Sequence, residues 1–215
     1  MKVKICGMRD AANIEQVLAL APDYLGFVFH EKSPRYTGEL LEADQLKAFP
    51  KTVKKVGVFV NSHPDSVLKN AKKFGLDFAQ LHGDESPDVC RSLRGRGVSI
   101  IKTFALDENF NFSRLNNYKS HCDFFLFDTK GEQPGGTGVS FDWDILQRYD
   151  NEKPFFLSGG IGPEYVERIQ ELKGKGLNIH AIDVNSRFET APGVKNVELL
   201  RTFLAALRPP ANVQV

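Results

Sequence analysis

Short apolar runs alternate with amphipathic stretches along the whole chain. Lys2 to Gly7 comes first, a run of period two that puts Lys2, Lys4 and Cys6 on one face and Val3 and Ile5 on the other. A helical spacing follows from near Asp10, with Ile14, Val17, Leu18 and Ala21 on one side. The next predicted strands are Tyr24 to Phe29, Lys55 to Val60, Phe78 to Gly83 and Val98 to Phe104. The last three are Asp123 to Asp128, Pro154 to Ser158 and His180 to Asn185. Between them the pattern predicts helices over Leu40 to Phe49, Pro64 to Phe74 with Gly75 as its cap, and onward from Ser86-Pro87. Further helices are predicted over Phe112 to Lys119, from near Asp142, after Gly159-Gly160 to about Leu172, and over Val197 to Leu207.

This makes eight strand–helix units of roughly 27 residues each in a chain of 215. Strands joined by helices pair in parallel, and eight such units close into a (β/α)8 barrel, an α/β fold of one domain over residues 1–208 with a loose tail over 209–215. The competing arrangement is an open, doubly wound sheet, whose strands are buried on both faces and read as unbroken apolar runs. Here Gln80, His82, Lys102, Asp128, Asp183 and Asn185 interrupt the strands near their C-terminal ends. In a barrel those positions face the active site, so the barrel is the expectation.

A net charge of +1, with the basic residues scattered, gives no support to a nucleic-acid or membrane-surface partner. No apolar run reaches the length of a membrane span, and the N-terminus enters a strand without a secretory pattern. Cys6, Cys90 and Cys122 are odd in number and widely spaced, which speaks against a disulfide framework or a zinc cluster. His30, His63, His121 and His180 form no metal pattern either. The simplest class is a cytoplasmic enzyme with reduced thiols.

The candidate chemistry lies where strands end. Cys6 is either a small buried hydrophobe or a thiol at the barrel mouth. Asp128 follows four apolar residues, so burial is expected to raise its pKa and make it a proton donor, the alternative being a structural hydrogen bond. Strands one and six place these two groups across the mouth from each other, a plausible acid–base pair. Lys4, one inward position below Cys6, either favours the thiolate or pairs with Asp183 across the closing seam, and the sequence leaves both open. Arg35, after Ser33-Pro34, is suited to gripping a carboxylate in a two-bond fork, or is a solvated loop charge. His82 reads foremost as a hydrogen-bonded structural histidine. Ser158-Gly159-Gly160 and the loop Asp183 to Arg187 are placed for an anion, since glycines admit a phosphate to the backbone and this rim is a common phosphate site of barrels.

Taken together the motifs resemble the phosphoribosylanthranilate isomerase family of tryptophan biosynthesis. The matching pieces run in order: Lys4-Ile5-Cys6-Gly7, Gly26-Phe27-Val28-Phe29 with Ser33-Pro34-Arg35, Val56-Gly57-Val58-Phe59 and Gln80-Leu81-His82-Gly83. Asp128, Gly135-Gly136-Thr137-Gly138, Phe141-Asp142-Trp143 and Leu157-Ser158-Gly159-Gly160 follow. Asp183-Val184-Asn185-Ser186, Glu189 and Pro192-Gly193-Val194-Lys195 complete the set. The resemblance implies an Amadori rearrangement of N-(5-phosphoribosyl)anthranilate to 1-(2-carboxyphenylamino)-1-deoxyribulose 5-phosphate. It makes Asp128 the general acid and Cys6 the general base, and puts Arg35 on the anthranilate carboxylate. It places the phosphate on the loops around Gly136, Gly138, Ser158, Gly159, Gly160, Asn185 and Ser186, with His82 and Asp183 also at the substrate. The implied enzyme stands alone, as a monomer or a homodimer, without a metal or organic cofactor. Arg187-Phe188 departs from the glycine that family members commonly carry there. Another phosphosugar barrel isomerase, such as the histidine-pathway enzyme with its pair of aspartates, is disfavoured by Cys6. Indole-glycerol-phosphate synthase would need a lysine-rich site and an N-terminal extension. A non-catalytic barrel subunit is disfavoured by the pairing of Cys6 with Asp128.

Overall fold

The structure, a computed structural model, describes residues 1–129 and 143–208. Strands β1 (Lys2–Ile5), β2 (Tyr24–Val28), β3 (Lys54–Phe59), β4 (Phe78–Leu81), β5 (Ser99–Leu106), β6 (Phe124–Thr129), β7 (Phe155–Ser158) and β8 (Ile179–Val184) form a closed parallel barrel in sequence order. Closure is made by β1 against β8, with Lys4 opposite Asp183 in register and the Cys6 N–H donating to the Val184 carbonyl at 2.9 Å. The barrel, and not the open sheet, is the architecture.

The connections are helices where capping and periodicity agree. In α1 (Ala11–Leu18) the Asp10 carboxylate accepts from the Asn13 N–H; in α4 (Pro87–Gly95) the Ser86 hydroxyl accepts from the Val89 N–H. Helix α3 (Pro64–Phe74) starts on a proline and ends at Gly75 in the left-handed conformation, as its spacing predicts. Helices α5 (Val166–Gly174) and α6 (Val197–Leu207) complete the long ones.

Several expected helices are shorter. The first stops at Leu18, leaving Ala21 outside it at φ 50°, because Pro22 disfavours a helical residue before it. The stretch Leu40 to Phe49 splits into a 3-10 turn, Gly38–Leu40, and the five-residue α2 (Ala43–Lys47); extended Leu41 separates them and Pro50 bars continuation. Short 3-10 helices of six residues each, Phe112–Asn117 and Trp143–Arg148, replace the α-helices predicted over Phe112 to Lys119 and from near Asp142. A small antiparallel hairpin that the pattern does not announce, β9 (Glu189–Ala191) and β10 (Val194–Lys195), follows β8.

Alternation divides the buried side chains. Outward strand residues such as Val3, Ile5, Phe27, Phe125 and Ile182 join the helices in one large apolar layer. Inward residues Tyr24, Val56, Ile101, Leu126, Phe156 and Ala181 fill the lower barrel. Cys6, Val28 and Val58 form a smaller cluster near the mouth. Two residues along from the lower layer stand the polar groups Lys4, Gln80, Thr103 and Asp183, all buried. Lys102 contradicts the expectation that it faces the site. Since Ile101 points inward, Lys102 points out, where it donates to the Leu81, Gly83 and Thr103 carbonyls and pairs with Glu85 at 3.2 Å.

At the lower end the Tyr24 hydroxyl hydrogen-bonds with His180 Nε2 at 2.6 Å, and the imidazole packs on Phe124 and Phe156. Burial, helped by the charge of Lys2, holds His180 down to about 4 against an ordinary 6.5. The unfolded chain therefore takes up a proton that the folded chain refuses. This contribution to stability is complete above 6.5 and is lost as pH falls towards about 4. Melting temperatures taken from about pH 7 down to about pH 4.5 are expected to fall more steeply for the wild type than for His180→Phe. Parallel curves would remove His180 from the acid sensitivity.

Candidate active site

The strand ends surround one cavity of about 320 Å³ at the C-terminal mouth of the barrel. Cys6, Arg35, His82 and Asp128 line it, together with Ser158, Gly159, Gly160, Asp183, Asn185, Ser186 and Arg187. Ten of the twelve site residues proposed from sequence are thus gathered in one place. Gly136 and Gly138, with the rest of residues 130–142, lie outside the described residues.

Cys6 sits over a buried ion pair. Lys4 Nζ donates to both Asp183 carboxylate oxygens at 3.0 Å and interacts with the thiol above it. The two roles left open for Lys4 are therefore one arrangement. Burial works to lower Lys4, but the charges of Asp183 and Cys6 and the hydrogen bonds to them together outweigh it, and the ammonium is held above its ordinary range. Burial also pushes Asp183 upward against Lys4. An ammonium donating to both oxygens requires a carboxylate opposite, and the pair is ionised. At Cys6 burial is again the largest influence and pushes the thiol up, while Lys4 pulls it back. Gly26 makes room for this column: a Cβ there would stand 2.8 Å from the thiol sulfur and 3.2 Å from Lys4 Nζ.

Asp128 is not buried as its apolar run suggests. It ends the strand at the open mouth with its side chain 32% exposed, and its Oδ2 lies 3.3 Å from His82 Nε2. His82 in turn has Gln80 Nε2 at 2.9 Å from its Nδ1. The histidine is hydrogen-bonded to Gln80 on one side of its ring, lies within ion-pair distance of Asp128 on the other, and also faces the cavity.

Arg35 is no solvated loop charge. Its Nε lies 2.9 and 3.0 Å from the two Glu189 oxygens, and its Nη2 lies 2.6 Å from Oε2. Glu189 also accepts from Lys195 Nζ at 2.6 Å and from the Gly193 N–H at 3.1 Å. Burial works to raise the Glu189 carboxyl; the bonds from Arg35 and Lys195 outweigh it and hold the group below its ordinary value. Lys195 donates further to Asn185 Oδ1 at 2.7 Å. Gly7, at φ 75°, lets this cluster close over the first strand, because a Cβ would lie 2.7 Å from both Arg35 Cδ and Asn185 Oδ1. Glu189 and Lys195 were not among the site residues read from sequence. Their signal is the turn pair Pro192-Gly193 between them, which marks a hairpin that returns both side chains to one place. Arg187 pairs with Glu164 at 2.6 Å while lining the cavity.

A closed barrel with a thiol, a carboxyl, an arginine fork and a glycine turn around one mouth belongs to the class of barrel enzymes that move protons on small anionic substrates. The model of the N-(5'-phosphoribosyl)anthranilate (PRA) isomerase family matches residues 3–206. The chain is 42% identical to the N-(5'-phosphoribosyl)anthranilate isomerase of Parabacteroides distasonis over 217 residues, covering 98% of this chain and 95% of that one. It is 38% identical to that of Phocaeicola vulgatus, covering 97% and 98%. Among solved structures it is similar to phosphoribosyl anthranilate isomerase from Thermotoga maritima, with a TM-score of 0.82, 30% identity and coverage of 97% and 98%. A phosphoribosyl anthranilate isomerase in complex with reduced 1-(o-carboxyphenylamino)-1-deoxyribulose 5-phosphate superposes with a TM-score of 0.80 at 29% identity, covering 97% and 98%. The chain belongs to the N-(5'-phosphoribosyl)anthranilate isomerase family. It is an aldose–ketose isomerase of tryptophan biosynthesis.

Removing one half of the Lys4–Asp183 pair leaves an uncompensated buried charge. Lys4→Met is expected to lower stability by about 3–5 kcal/mol in urea unfolding. Lys4→Met combined with Asp183→Leu should recover most of that loss. A double variant no more stable than the single one would deny the pair this role.

Proposed function

We propose that Asp128 and Cys6 divide the Amadori rearrangement between them as acid and base. The observation that carries this is their shared cavity, each on the end of a different strand and each held by a separate partner, His82 for the carboxyl and Lys4 for the thiol. The protonated Asp128 carboxyl delivers its proton to the ribose ring oxygen. The C1–O bond breaks as the anthranilate nitrogen supplies its lone pair, and a Schiff base forms. The Cys6 thiolate then takes the C2 proton, and the electron pair of that C–H bond moves into the C1–C2 bond as the iminium is neutralised. The resulting enolamine tautomerises to the ketone. The substrate nitrogen is the electron sink, so the step calls on no further group.

Arg35 offers the anthranilate carboxylate the donors that Glu189 does not use. The Glu189 fork fixes the plane of the guanidinium before substrate arrives, which lowers the ordering cost of the second contact. Ser158, Gly159 and Gly160 from β7 and Asn185 and Ser186 after β8 form the phosphate end. Gly159 and Gly160 both adopt positive φ, at 103° and 62°, which suits a backbone that turns its N–H groups towards an anion. Asp183 acts from beneath, as the counter-ion of Lys4. Among the described residues no helix is long and apolar enough to cross a membrane. A cytoplasmic enzyme, monomer or homodimer, without a nucleic-acid partner completes the proposal.

The test is consumption of phosphoribosylanthranilate by purified protein, followed by its fluorescence. Asp128→Asn and Cys6→Ser are each expected to lower kcat by at least ~100-fold. A variant that kept full rate would remove its residue from the mechanism. The pH dependence has a definite sign. Burial holds the Cys6 thiol above its ordinary value, so its thiolate form grows with pH, and alkylation of Cys6 by iodoacetamide should speed up through neutrality and beyond. An alkylation rate that stays flat across this range would contradict a thiol held up by burial.

A further inference from the structure

The geometry points to Gln80 as a positioning residue that fixes His82 in the Nε2–H tautomer and so keeps the proton of Asp128 aimed at the substrate. Gln80 is 1% exposed and stands two positions below His82 on β4, inside the barrel. Its amide nitrogen lies 2.9 Å from His82 Nδ1 and 3.3 Å from Thr103 Oγ1. A carboxamide nitrogen only donates, and it carries two N–H groups. With both used, Nδ1 of His82 must be an acceptor. The proton of the neutral ring is then on Nε2, the atom 3.3 Å from Asp128 Oδ2.

The consequence falls on the acid. An Nε2 lone pair would accept the Asp128 O–H and hold the proton away from the substrate. An Nε2–H cannot accept, so it leaves that O–H free. Once the proton has gone to the ring oxygen, the same N–H donates to the new carboxylate. The 3.3 Å contact thus becomes a hydrogen bond as charge develops, which is the condition for lowering the barrier. The other charged groups facing Asp128 do not do this. Asp183, from β8, bears the same sign and is occupied by Lys4 from β1. Cys6, at the end of β1, reaches the same cavity as a separate proton carrier.

A second observation supports the assignment. The Gln80 amide oxygen is buried and is the one such side-chain atom without a hydrogen-bond partner among the described residues. Its sheet neighbours on either side are Val58 and Ile101, both buried. An apolar residue here would escape the cost of an unmatched acceptor, so fold stability does not account for the amide. Its nitrogen contact with His82 does.

This inference rests on Asp128 as the acid, and the experiment separates the two. Nitrogen-15 NMR of the histidine rings in the whole enzyme reads the His82 tautomer without any turnover, assigned by loss of its signals in His82→Asn. The wild type is expected to show neutral His82 protonated on Nε2. Protonation on Nδ1 would overturn the proposal outright. Gln80→Glu, whose carboxylate accepts from the ring, is expected to move the proton to Nδ1 and lower kcat by ~100-fold. Gln80→Met should lower kcat by ~10-fold with KM within about 2-fold, the signature of an interaction made in the transition state. An unchanged kcat in Gln80→Met, with Asp128→Asn inactive, would refute the positioning role while leaving the acid in place. If Asp128→Asn stays active, the acid reading fails and this proposal falls with it, whatever the tautomer. If either Gln80 variant does not fold, the wild-type tautomer decides alone.

Discussion

The ion pair between Lys4 and Asp183 is the constraint around which the barrel and its site are arranged. It spans the seam where the first strand meets the last, between residues that are partners in the sheet register. A closed barrel has one such seam joining its two ends in sequence, and here the seam carries opposite charges that are buried. Burying these charges is expensive, and hydrophobic residues of similar size often make a more stable core. What the pair adds is a fixed positive charge directly under Cys6 and a register in which Lys4 can meet only Asp183. The polar layer therefore has a structural side and a chemical side that cannot be changed separately. A shift of β1 by one residue would put Val3 or Ile5 inside and lose the charge, the thiol and the closure together.

A second network sits above the first. The β9–β10 hairpin brings Glu189 and Lys195 back over the mouth, where they hold Arg35 and Asn185. Both Glu189 and Lys195 are nearly buried, so their mutual charge is worth more than a surface pair. Arg35 is the partly exposed member, with one edge held and the rest turned to the cavity. A loop arginine acquires the precision of a residue on a strand in this way.

The sequence carried the architecture because the barrel is written in two local periods, and both are strong here. The strand positions, the caps at Asp10, Ser86 and Gly75, and the last helix over Val197 to Leu207 were all legible. The middle helices were less so. Over Phe112 to Lys119 and after Asp142, apolar spacing suits a 3-10 turn as well as an α-helix, and only the packing distance between strand and shell decides. Lys102 shows the corresponding limit for strands. A charge in an apolar run signals an unusual environment without saying which face it occupies, and the alternation from Ile101 turns it outward. Asp128 shows another: its apolar run describes the strand below it, not the open mouth where the carboxyl ends. The contacts of Gln80, Glu189 and Lys195 join residues far apart in sequence or depend on the hairpin's shape, so neither period records them.

Each group proposed to act on the substrate is held by another that does not. Cys6 rests on Lys4, Asp128 on His82, and Arg35 on Glu189. The three supports differ in kind because the tasks differ. A base needs a positive charge that favours its deprotonated form, so it stands on an ammonium. An acid must release its proton and then be stabilised, and the support proposed for it is the imidazole of His82. A binding arginine must stay charged and planar, so it stands against a carboxylate. The strand origins of these supports keep them apart: β1 with β8 for the base, β4 for the acid, the hairpin for the arginine. Their separation lets acid and base hold protons independently in one small cavity, which a rearrangement that gives one proton and takes another requires.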